Sequence, residues 1–177
     1  MNTGIGPFLS IKKAALHLSL GKLVAFPTET VYGLGADAEN IKAINSLYAV
    51  KGRPTTHPVI VHIALTADLE YWVKSVPKSV HQLIAAFWPG PLTLIFKRAS
   101  HINSVISGGQ DSIGLRCPSH PVAQQLLKSF SMTKAGKHSG LAAPSANRFG
   151  YISPTLARHV QDDFPYEAAK NLLILEG

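Results

Sequence analysis

The chain has 177 residues and a mass of 19.0 kDa, a length for one domain. Hydrophobic residues at 46% and charged residues at 15% exclude a disordered chain, and no apolar run is long enough to predict a membrane span. Seventeen lysines and arginines against ten acidic residues give +7, which favours anionic partners, while a single cysteine excludes an internal disulfide and suits a reducing, cytoplasmic location.

In chain order, the opening MNTGIGPFLS lacks a charged start and an apolar stretch, so no signal peptide is expected. Gly4-Ile5-Gly6 reads as a turn, because it precedes a helix and lacks a third glycine. Ser10 is expected to cap a first helix with Ile11, Ala14, Ala15 and Leu18 on one face and Gly21 at its end. The run 23–26 predicts a buried strand, and 27–37 a turn-rich loop. Asn40 then caps a helix with Ile41, Ile44, Leu47 and Tyr48 inward, ending near Lys51-Gly52. Residues 58–64 predict a strand; 66–73 and 77–87 predict helices, the second with Pro77 in its first turn. Strands follow at 92–97 and 112–116, a helix at 121–127, and a polar basic loop at 129–140. The end of the chain predicts a short strand into a turn at 141–147, a helix from Ser153-Pro154 to about Gln161, and a strand at 172–175. Alternation of strands and helices makes the class α/β or mixed α+β, with no second domain marked by composition.

Several familiar chemistries are absent. There is no GxxxxGK[ST] phosphate loop, no HExxH, and no GxSxG around Ser145. His57 and His62 are five apart beside a strand and so face opposite ways, which speaks against a zinc pair. Lys51 and Arg53, split by Gly52, suit an oligophosphate, or equally dress a helix C-terminus against its macrodipole. Thr28, Glu29, Thr30 and Tyr32 crowd hydroxyls and a carboxylate beside glycines after a strand, as a ligand loop or a polar turn would. Arg116 ends an apolar strand and needs an anionic partner: a ligand, or Glu29 or Asp37. Ala143-Pro144-Ser145-Ala146-Asn147 is either a close backbone approach to a ligand or a Ser and Asx turn. Phe87-Trp88-Pro89-Gly90-Pro91 reads as a rigid structural turn.

Five blocks in order, FPTETVYGLGADA (26–38), KGRPTTHPVIVHI (51–63), FWPGPLTLIF (87–96), IGLRCPSHPVA (113–123) and APSANRFGYISPT (143–155), resemble the YrdC-like domain of the threonylcarbamoyl-AMP synthases. The details of HPVIVHI and APSANRFG are most similar to the longer, two-domain branch. The resemblance implies a twisted sheet with flanking helices around a deep basic cavity. It implies synthesis of L-threonylcarbamoyl-AMP and pyrophosphate from L-threonine, bicarbonate and ATP with Mg²⁺. The product would pass to tRNA threonylcarbamoyl-transfer proteins that modify the adenosine next to the anticodon, and weak RNA or tRNA contact is a further expected partnership.

Position by position, the resemblance gives Thr30, His62 and Arg116 to threonine, with Tyr32 walling that pocket and Ala143 lending backbone contacts. It gives Arg53, His57, Ser112, Ser145 and Ser153 to ATP, with Asn147 a polar contact there, and Lys51 and Arg53 as the catalytic cations. Against the family pattern, 1–177 is expected to lack the domain's last turn and strand and any second domain, and Lys134, Lys137 and His138 mark a longer basic loop. A non-catalytic RNA- or nucleotide-binding module and an inactive fragment are the alternatives.

Overall fold

Four apolar residues in a row need cover on both faces, and strand β1 (Leu23–Phe26) is completely buried. The computed structural model describes residues 7–134, 138–164 and 172–177. The glycine pair at 4–6 and Lys137 lie outside them. Alternate residues of β1 feed two cores. Leu23 and Ala25 pack with Ala43, Ile44 and Leu47 of helix α2 (Ile41–Lys51). Val24 and Phe26 pack with Ile11, Ala14, Ala15 and Leu18 of helix α1 (Pro7–Ser19) and with Ala123, Leu126, Leu127 and Phe130 of helix α4 (Pro121–Thr133).

Strand β2 (Gly33–Asp37) pairs antiparallel with β1, Val24 opposite Gly35 and Phe26 opposite Gly33. Sequence placed these residues in a loop, because glycine pairs read as punctuation. Their smallness has another cause: a Cβ on Gly35 would stand 2.9 Å from the Phe26 ring, and one on Gly33 3.3 Å. The strand is glycine-rich to make room for Phe26.

Seven strands form one sheet among the described residues, ordered β4-β5-β3-β6-β2-β1-β7. The others are β3 (Val61–His62), β4 (Thr93–Lys97), β5 (Ser112–Arg116), β6 (Leu141–Ala142) and β7 (Leu172–Ile174). β7 runs parallel to β1 and β3 parallel to β5; the remaining pairings are antiparallel. This mixed α/β sheet with helices on both faces agrees with the class expected.

Several boundaries move. α1 starts at Pro7, so Ser10 lies inside it rather than capping it. Ile41 is 45% exposed at the first position of α2, whose inward set is Ala43, Ile44, Leu47, Tyr48 and Lys51. The strand over 58–64 shortens to β3, and residues 66–73 form turns, not a helix. Helix α3 (Lys78–Phe87) has Pro77 as its N-cap and buries no residue fully. α4 continues to Thr133 and takes over the start of the loop assigned to 129–140, because Leu126, Leu127 and Phe130 extend its buried stripe. Helix α5 (Ala157–Asp163) begins after Ser153-Pro154, and β7 ends at Ile174. Asn40 does cap α2, accepting from the backbone N–H groups of Lys42 and Ala43.

Candidate functional site

Helices α1 and α4 cover only part of their sheet face. Cross-strand partners point the same way, so Arg116, paired with His62 and Thr93, shares a face with Phe26 and Ala143, as do Gly114 beside Ile95 and Ser112 beside Lys97. Here the helical cover runs out, and Ile95 is left 68% exposed. The candidate site is this open half-face and the loops bordering it.

At its inner end, Arg116 Nη2 donates to Glu29 Oε1 at 2.9 Å and to Thr30 Oγ1 at 3.1 Å. Of the two carboxylates that sequence offered Arg116, Glu29 is the partner; Asp37 pairs with Lys134 instead. Burial of Glu29 opposes ionisation, but the Arg116 hydrogen bond and charge, with backbone donors, hold its carboxyl below the usual value. Thr28 shapes the loop: its hydroxyl donates to the Val31 carbonyl at 2.6 Å and accepts from the Thr30 and Val31 N–H groups. His62 is 3% exposed beneath, edge-on to Phe26. Burial first, then the Arg116 charge, bring its pKa down to about 3, so it stands neutral. Ala143 N–H donates to the Ile60 carbonyl at 2.9 Å, fixing the backbone beside it.

At the other end, Gly52 in the left-handed region (φ 62°) closes α2 and turns the chain out. Arg53 Nη2 donates to the Pro58 carbonyl at 2.9 Å, and its guanidinium lies 5.5 Å from the Phe149 ring centre. His57, exposed, meets the same ring edge-on. Tyr48 anchors this loop from below, its hydroxyl donating to the His57 carbonyl at 2.9 Å. Lys51 points the other way. It is 2% exposed, and its ammonium donates to the Ser145 carbonyl at 2.6 Å and to the Asn147 carbonyl. Burial, then the Arg53 charge, lower its pKa to about 8.

The two ends meet through Tyr32. Its N–H donates to the Pro154 carbonyl and its carbonyl accepts from the Ala146 N–H, both at 2.8 Å. Ser145 bridges to Gly33, Asn147 Nδ2 donates to the Arg148 and Tyr151 carbonyls, and Ser153 is half-buried just before Pro154. Ser112 stands further along β5, its hydroxyl 3.3 Å from Gln110 Oε1.

Five buried side-chain polar atoms among the described residues lack a hydrogen bond of good geometry, and four belong to this site: Arg116 Nε and Asn147 Oδ1, with Tyr32 Oη and His62 Nδ1, which have only weaker backbone neighbours at Gly177 and Ile60. Such atoms are rare in folded proteins, and each marks strain, a missing partner or a function. Sequence reasoning missed Phe149, whose signal was only an aromatic two residues past Asn147. It also missed the closing residues: Glu176 adds to the burial that raises the Tyr32 pKa, and Gly177 lies against Pro27 and His120.

The Sua5_yciO_yrdC family profile, described as telomere recombination, matches residues 17–176. A threonylcarbamoyl-AMP synthase of Pyrococcus abyssi is 44% identical over 154 residues, covering 87% of this chain and 43% of that protein. One of Alkalilimnicola ehrlichii is 33% identical over 177 residues, covering 100% of this chain and 88% of that one. A crystal structure of P. abyssi Sua5 complexed with L-threonine superposes with a TM-score of 0.85 at 42% identity, over 94% of this chain and 46% of that one. Escherichia coli YciO shares the fold, with a TM-score of 0.77 at 22% identity over 94% of this chain and 77% of that one. The chain spans about two fifths of the length of the first curated relatives it matches.

Proposed function

Because the chain belongs to the Sua5/YciO/YrdC family of threonylcarbamoyl-AMP synthase domains, we propose that it forms L-threonylcarbamoyl-AMP and pyrophosphate from L-threonine, bicarbonate and ATP. The observation that carries this reading is the run of buried polar atoms without a well-formed hydrogen bond on Tyr32, His62, Arg116 and Asn147, strung from the arginine end of the site to the loop that Lys51 holds.

In this reading Arg116 pairs with the threonine carboxylate, sharing its fork with Glu29, while Thr30 and the neutral His62 fix the amino acid's orientation. Tyr32 and the Ala143 backbone wall the pocket. The threonine amine and bicarbonate give a carbamate with loss of water. A carbamate oxygen then attacks the α-phosphorus of ATP, the bond to the bridging oxygen breaks, and pyrophosphate leaves. Arg53 and His57, backed by Phe149, face the phosphates with Ser145, Asn147, Ser153 and Ser112, and stabilise the charge that builds there. Lys51 acts chiefly as a positioning residue, setting the Ser145–Asn147 backbone, with its third N–H left for the nucleotide. Among the described residues no group of three or more His, Cys, Asp or Glu converges to hold an ion. Mg²⁺, as the counter-ion of ATP, would neutralise phosphate charge beside Arg53. The product would serve the proteins that transfer threonylcarbamoyl to tRNA.

The test is pyrophosphate release by the folded chain, verified by a cooperative thermal melt. Release that requires both threonine and bicarbonate is expected. Arg116→Ala should raise the KM for threonine by about tenfold or more, the worth of one charge-assisted contact. ATP binding without release would leave a nucleotide-binding module instead, and unchanged kinetics in Arg116→Ala and Arg53→Ala would refute the assigned roles.

A further inference from the structure

A second cationic feature lies at the far end of β4. Lys74 N–H donates to the Lys97 carbonyl at 2.8 Å, Val73 bridges Arg98, and Ala99 N–H donates to the Trp72 carbonyl at 3.1 Å. Backbone bonds thus hold Lys74 and Lys97 together at the rim of a hollow of about 820 Å³, which Arg98, His101, Glu70 and Asp111 also line. Arg98 knits the floor, donating from Nε to the Gln110 carbonyl at 3.3 Å and from Nη1 to the Ala99 and Ile102 carbonyls. No ion pair joins the two lysines to Glu70 or Asp111 among the described residues. Two lysines brought to one hollow, neither ion-paired among the described residues, give it a positive rim that attracts anions.

We propose that this cleft, at the Ser112 end of the open face and four residues along β4 and β5 from Arg116, binds a compact oligophosphate between Lys74 and Lys97. Compactness follows from the shape and charge. The site is concave, and the carboxylates of Glu70 and Asp111 flank it, where they repel an extended polyanion but leave room for a short one. Its position gives it a use: Lys97 stands directly across the β4–β5 ladder from Ser112. An anion held by Lys97 lies beside the hydroxyl assigned to ATP, placed to receive a phosphate tail or departing pyrophosphate. The cleft's geometry carries the proposal without the synthase reading, which bears only on that use.

The test is calorimetric titration of the intact chain with inorganic pyrophosphate at low ionic strength, where exposed charges are least screened. Saturable binding is expected, weakened about tenfold or more in Lys74→Ala/Lys97→Ala, given the worth of two charge-assisted contacts, and preserved in Arg53→Ala. Both lysines are exposed, so the double variant should melt as the parent does. Absence of binding in the parent, or loss in Arg53→Ala with no effect of the lysine changes, overturns the proposal. Tighter capture of a single-stranded oligonucleotide than of pyrophosphate, lost with the same lysines, overturns the choice of a compact ligand. Failure of threonine-dependent turnover alongside lysine-dependent pyrophosphate binding would sink the synthase reading and leave this one standing.

Discussion

Lys51 and His62 show how burial decides what a charged or chargeable side chain does. Lys51 is the more hidden of the two cations in its motif, and its ammonium organises carbonyls that would otherwise repel one another. Replacing it by Met keeps the apolar stem and removes the donors. We expect Lys51→Met to weaken ATP binding by about tenfold, in line with hydrogen bonds to a charged group, while threonine affinity is unchanged. Equal losses for both ligands in titration would assign Lys51 a wider role. His62 carries a pH signature. Its folded pKa of about 3 lies below its ordinary 6.5, so the unfolded chain binds the extra proton first. Its contribution is whole above about pH 6.5 and is lost progressively as pH falls toward 3. Melting temperature should therefore drop across that window more steeply in the parent than in His62→Leu. Parallel pH curves for the two proteins would contradict this.

At the scale of elements, the strand that sequence missed is the most instructive. β2 carries glycines because Phe26 and the two helices behind it need the volume, and no periodicity announces that. The pattern 33–37 reads as a loop only until its neighbour's side chain is known. Gly35→Ala is expected to destabilise the protein by about 1–3 kcal/mol through overpacking, measured by urea denaturation, with Gly35→Ala/Phe26→Leu recovering part of the loss. A neutral Gly35→Ala would mean that the Phe26 ring moves aside without cost. Elements with strong local signals were legible from sequence: the Asn40 cap, the Gly52 stop and all of β5. Residues 66–73 were not, because their spacing imitates a helix while their backbone turns repeatedly around the buried Trp72.

For the molecule as a whole, the sequence displayed the residues that the fold gathers along the open face but not their partners. Arg116 visibly needed an anion, and the two carboxylates named for it split between it and Lys134 through long-range contacts that no local pattern encodes. Lys51 and Arg53 looked alike until one proved buried and the other lay over Phe149. The +7 surplus divides the same way, between cations tied into the fold and pairs such as Lys74 and Lys97 that have no acidic partner among the described residues.

β1 is hydrogen-bonded on one side to β2, which follows it almost at once, and on the other to β7, which lies near the far end of the sequence. A growing chain can form the first ladder early but must hold the other edge of β1 open until Leu172–Ile174 leave the ribosome. Closing so long a loop is entropically slow. During that interval the edge of β1 offers unpaired backbone groups to any other strand, so the nascent chain stays prone to aggregation until after the residues of the candidate site have been made.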